Sequence, residues 1–138
     1  MAGGVPVFVP LEPGTWKIDM DRLQSALSDK TRLMIFNNPH NPTGKLYRRS
    51  EIEELVSVLD KYPKVDVVAD EVYEEQIYTD EPMTRIGSLM WDRCISISSA
   101  GKLFSVTGWK TGWGVGGEEI MKRLSITKQW TTFCSNTP

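Results

Sequence analysis

Three short apolar runs in this chain each stop at a polar cluster. Arg32–Asn37 runs into Asn38–Asn41, Val65–Ala69 into Asp70–Tyr73, and Cys94–Ser98 into Ser99–Lys102. Short apolar runs without clean alternation suit strands covered on both faces, as in a parallel sheet. Helical patterns lie between them, so the order predicts a three-layer α/β/α domain with a largely parallel sheet. In open sheets of this kind, ligands bind outside the carboxyl ends of the strands. The three polar clusters therefore mark one edge as the candidate site.

The remaining elements follow from local signals. Val5–Leu11 reads as a further strand and Glu12-Pro13-Gly14 as a turn, after which Asp19 can cap a helix carrying Leu23, Ala26 and Leu27. From Ser50 to Lys61, a stripe of Ile52, Leu55, Val56 and Leu59 predicts an amphipathic helix, with Ser50 and Glu53 as its capping box. Trp113–Gly116 reads as a last strand, followed by a helix from Glu118 to Phe133.

Composition excludes several classes. The 138 residues carry a formal net charge of -2 with acids and bases interspersed, so no nucleic-acid or membrane-binding basic stripe is expected. One histidine, His40, and two cysteines without CxxC spacing, Cys94 and Cys134, make neither a metal site nor a disulfide framework. That cysteine usage suits the reduced interior of a cell: the cytoplasm, with mitochondria as the alternative.

The clusters supply lysine, aspartate, tyrosine, asparagine and serine, with a second lysine, Lys110, nearby. A lysine nucleophile beside a carboxylate is what Schiff-base chemistry on a carbonyl cofactor requires. Four motifs then resemble the class I/II aminotransferases in order and approximate spacing: Asn38-Pro39-His40-Asn41-Pro42-Thr43-Gly44, Ala69-Asp70-Glu71-Val72-Tyr73, Ser99-Ala100-Gly101-Lys102, and Gly108-Trp109-Lys110-Thr111-Gly112-Trp113. The sequence is most similar to the kynurenine aminotransferase, glutamine transaminase K and cysteine-conjugate β-lyase group, along essentially all of residues 1–138.

The resemblance implies the cofactor pyridoxal 5'-phosphate (PLP) and a role for each position. Lys102 would form the internal aldimine and shuttle the substrate proton, and Asp70 would keep the pyridine nitrogen protonated. Tyr73 and Asn41 would hydrogen-bond the phenolate oxygen, while Ser99 and Lys110 would bind the phosphate. Lys110 stands where the wider family has arginine, but the kynurenine aminotransferase group carries lysine there. The implied activity moves an amino group from an aromatic, sulfur-containing or glutamine-like amino acid to a 2-oxo acid. The alternative is a β-lyase, because both reactions share a carbanion.

Plainer readings stand beside these roles. Asp70 and Ser99 could be helix caps, Tyr73 a core residue and Asn41 a turn residue. Gly112-x-Gly114-x-x-Gly117 matches the dinucleotide fingerprint formally, but no strand directly precedes it and residues 130–138 contain no acid. Gly101-Lys102 lacks the upstream glycine and following hydroxyl of a P-loop. The abrupt start at Gly3-Gly4 and stop at Asn136-Thr137-Pro138 suggest part of a PLP-binding large domain, lacking an N-terminal segment and a C-terminal small domain. A homodimeric parent is implied, and this piece alone is expected to be catalytically silent.

Overall fold

In the computed structural model, which describes residues 3–135, the elements run α1 (Met20–Ala26), β1 (Leu33–Asn37), α2 (Arg49–Leu59), β2 (Asp66–Asp70), β3 (Cys94–Ser99), α3 (Ala100–Leu103), β4 (Gly112–Gly116) and α4 (Glu118–Thr131). Met1 and Ala2, and the expected stop at Asn136-Thr137-Pro138, lie outside the described residues. The sheet has the order β1-β2-β3-β4, with β1, β2 and β3 parallel and β4 antiparallel to β3. Ser99 and Gly112 are joined by only α3 and a 3-10 turn at Thr107–Trp109. The chain turns back over these residues, and β4 returns antiparallel beside β3.

Strand alternation divides the sheet into two faces. Phe36, Val67, Ala69 and Cys94 point to one face, where they form a single core with Leu23 of α1 and Ile52, Leu55, Val56 and Leu59 of α2. Ile86, on a 3-10 turn before β3, completes that cover. On the other face α4 packs against β3 and β4: a Cβ built on Gly114 would touch Ile95, Ile97 and Leu124. Helices thus lie on both faces, in the expected three layers, although α4 leaves β1 open on its side.

Three local expectations need correction. Val5–Leu11 does not form a strand; a single bridge pairs Leu11 with Ile18, and Val5 and Phe8 are 87% and 86% exposed. Pro6 and Pro10 lack the N–H that a ladder requires. Helix α2 begins before Ser50, so the cap shifts by two residues. The Arg48 N–H donates to Glu51 at 2.9 Å, while Glu53 instead accepts from Arg49 at 2.7 Å. Helix α4 ends at Thr131, two residues before the expected Phe133.

Candidate active site

Register determines which polar residues meet. Asn37, Asp70 and Ile97 are paired across β1, β2 and β3, and Ser99 lies two residues beyond Ile97 on the same face. All of these point away from the α2 core and end at the carboxyl edge of the parallel strands. Asp70 is half-buried, and its Oδ1 accepts from the Val72 N–H at 3.3 Å. That bond opens the turn that carries Tyr73.

Asn41 reaches across from the loop after β1, donating its Nδ2 to the Tyr73 hydroxyl at 3.2 Å. The donated amide occupies a lone pair of the phenol oxygen and leaves the phenol proton free to be donated outward. Asn37, to which the sequence reading assigned no site role, holds this junction together. Its Nδ2 donates to the Asp70 carbonyl at 2.9 Å and its Oδ1 accepts from the Asn41 N–H at 2.7 Å. The signal was present: Asn37 is the polar end of an otherwise apolar run.

Ser99 caps α3, its hydroxyl accepting from the Gly101 N–H at 3.1 Å. Lys102 follows on that short helix with an exposed side chain. Gly101 has to be small, because an added Cβ would sit 3.0 Å from the Thr107 Cα. Lys110 follows the Thr107–Trp109 turn in the left-handed conformation at φ 54°, with its side chain exposed. Lysine rarely adopts that backbone region, and such strain gathers at functional sites. Among the described residues, neither lysine takes part in an ion pair.

The glycines of the rejected dinucleotide pattern have a packing role. A side chain at Gly112 would place its Cβ 2.7 Å from the Ser98 carbonyl oxygen, so β4 can lie against β3 only without one. Among the described residues, no group of three or more His, Cys, Asp or Glu side chains is arranged to hold a metal ion. His40 is a turn residue, its Nδ1 sharing a hydrogen bond with the Thr43 hydroxyl at 2.8 Å.

The edge therefore offers one primary amine, one carboxylate, a phenol–amide pair and a second cation, on adjacent strand ends. The family model for aminotransferase class I and II matches residues 1–138. The chain belongs to the class I and II aminotransferases. Members of this family use PLP. The chain is 42% identical to kynurenine–oxoglutarate transaminase of Dictyostelium discoideum, across all of this chain and 36% of that protein. The aromatic aminotransferase of Pyrococcus horikoshii superposes with a TM-score of 0.89 at 33% identity, covering 98% of this chain and 37% of that one. YbdL of Escherichia coli, with a methionine aminotransferase function, superposes at 0.86 with 30% identity, covering 93% and 34%. The chain thus spans about a third of the length of the relatives it matches.

The donor set suits PLP in kind: an amine for an aldehyde, a carboxylate for a ring nitrogen, hydrogen-bond donors for a phenolate, and a cation with a hydroxyl for a phosphate. The Asn41–Tyr73 contact carries this fit, because it brings two groups able to donate to a phenolate to one point from residues 32 positions apart.

Proposed function

We propose that this chain forms the central part of the PLP site of an aminotransferase that acts on aromatic, sulfur-containing or glutamine-like amino acids with a 2-oxo acid as partner. The single observation that carries the reading is the convergence of Asp70, the Asn41–Tyr73 pair and Lys102 on neighbouring strand ends. The substrate class is supported by similarity to a kynurenine–oxoglutarate transaminase and to enzymes of aromatic amino acids and methionine.

When bound, PLP supplies an electron-withdrawing ring that delocalises charge left at a substrate carbon. Lys102 would carry the cofactor and, once released, move the proton from the substrate Cα through its Nζ. Asp70 would hold a proton on the ring nitrogen by its negative charge. Tyr73 and Asn41 would orient the phenolate oxygen, and Ser99 and Lys110 would bind phosphate; a lysine supplies charge there without a bidentate fork. The working enzyme would be a homodimer.

Borohydride reduction of the full-length protein with PLP, followed by peptide mapping, tests the assignment. The label is expected on Lys102. Label on Lys110 or Lys122 would overturn it.

A further inference from the structure

Behind the candidate site, on the face covered by α2, lies a charged cluster that none of the proposed roles uses. Asp70 ends β2 with its side chain directed away from the α2 core, whereas the side chain of the next residue, Glu71, is buried. The Glu71 side chain is 2% exposed. Its carboxylate accepts from Arg85 Nη1 at 2.7 Å, and the other nitrogen of the same guanidinium binds Glu74 Oε2. The second Glu74 oxygen accepts from the Ser98 hydroxyl of β3 at 2.5 Å.

Backbone bonds complete the frame. Glu71 N–H donates to the Ile97 carbonyl, and Glu74 N–H to the Glu71 carbonyl, both at 2.9 Å. The residue before Arg85 is tied to the residue that follows β1, since Asn38 Nδ2 donates to the Thr84 carbonyl at 3.4 Å. One arginine thus grips both ends of the Glu71–Glu74 turn, on which Tyr73 rides and from which Asp70 directly precedes. Glu71 shares a peptide bond with Asp70, so a displacement of the Glu71 backbone is felt at Asp70.

The charge balance makes the grip costly to lose. Burial pushes the Glu71 carboxyl upward, even against the opposing pull of Arg85. For Glu74, burial also acts upward, but the hydrogen bonds from Ser98 and Arg85 outweigh it and hold the carboxyl below its usual range. Without Arg85, two neighbouring carboxylates would face each other with no counter-charge, and a buried unpaired carboxylate protonates or moves. Either response would reshape the turn.

We propose that Arg85 is a positioning residue: through Glu71 and Glu74 it sets, from the opposite face of the sheet, how Asp70 and Tyr73 meet PLP. The proposal rests on the functional reading above. Arg85 itself touches neither cofactor nor substrate.

The test uses the full-length holoenzyme with Arg85→Met, Arg85→Lys and, as comparator, Arg93→Met. Arg93 also ties backbone together, donating to the carbonyls of Leu59, Tyr62 and Val65 on the core side. The readouts are the PLP dissociation constant, the visible-band circular dichroism of bound cofactor, which reports ring orientation, and Tm. Arg85→Met should weaken PLP binding by about tenfold and change the dichroism, as expected when positioning is lost. Arg85→Lys should recover part of both, a point charge meeting one carboxylate but not two. Arg93→Met should lower Tm and leave PLP affinity and dichroism at wild-type values.

Wild-type affinity and dichroism in Arg85→Met would overturn the proposal, as would equal changes in Arg93→Met. If Arg85→Met does not fold, Glu74→Gln decides: it keeps the Ser98 contact and loses the ion pair, so it should weaken PLP binding by about threefold. An unchanged affinity there overturns the proposal too. The functional reading fails separately, when borohydride labels a residue other than Lys102 in the wild-type protein.

Discussion

Phe36 and Ile35 are neighbours on β1, yet one is 4% exposed and the other 75%. Phe36 points into the core beneath α2, against the tilted ring of Tyr47 at 5.2 Å. Ile35 points to the face that α4 leaves open over β1, beside Leu33 at 52% exposed. The covered face holds apolar side chains and buried, fully paired polar groups. The open face carries Asn37, Asp70 and Ser99 at its carboxyl edge. One sheet thus places its buried contacts on one side and its candidate site residues on the other, because alternation sends successive residues to opposite sides.

Substitutions can break that division, and the largest effect belongs to the edge. In the full-length enzyme, Lys102→Ala should abolish transamination while Tm stays near wild type, since an exposed side chain contributes little to stability. Asp70→Asn should retain PLP and lower turnover by several orders of magnitude, a loss of preorganised charge. Steady-state kinetics beside thermal melts check both. A collapse of Tm in either variant would mean the edge also holds the fold.

On the covered face the effects should reverse. Leu55 is fully buried in the α2 core, and Leu55→Ala should cost about 2–5 kcal/mol, read from denaturant unfolding. A cost below about 1 kcal/mol would show that the site collapses around the missing atoms.

A smaller effect belongs to the start of α2. Burial acts to raise the Glu51 carboxyl, but the Lys45 and Arg48 hydrogen bonds outweigh it, and the net shift is downward from 4.5. A lowered carboxyl stabilises the folded state above its unfolded pKa, and this is lost as pH falls through the folded value. Glu51→Gln should therefore cost roughly 1 kcal/mol at neutral pH, as caps do. The Tm gap to wild type should close as pH drops below 4.5. A gap that persists in acid would assign Glu51 a packing role only.

The smallest change in stability should come from the open face. In the 138-residue chain, Ile35→Ser should alter unfolding free energy by no more than about 0.5 kcal/mol. It should nonetheless reduce self-association, since Leu33, Ile35 and Trp130 of α4 leave apolar surface in water. Sedimentation of the two forms side by side checks it, and identical association would remove this face from the account.

Several features were legible because their causes are local. The apolar runs of β1, β2 and β3, the stripe Ile52-Leu55-Val56-Leu59 and the Asp19 cap, which accepts from Arg22 at 3.0 Å, all follow from nearest-neighbour chemistry. The site motifs fell at the expected strand ends for the same reason. Val5–Leu11 misled because alternation signals only a tendency, and a strand also needs a partner edge with donors to pair. The shifted cap of α2 involves a side chain outside the helix as well: Glu51 is held by Lys45 of the preceding loop at 2.8 Å.

The sequence by itself determined the strands β1, β2 and β3, the amphipathic helix and the residue types available for chemistry, since each depends on spacing along the chain. Tertiary structure alone decided that Asn41 meets Tyr73, that Asn37 bridges both, that β4 returns antiparallel, and that Arg85 binds Glu71 and Glu74. Those contacts join residues that no local periodicity relates. They exist only once register and packing have fixed which side chains leave which face of the sheet.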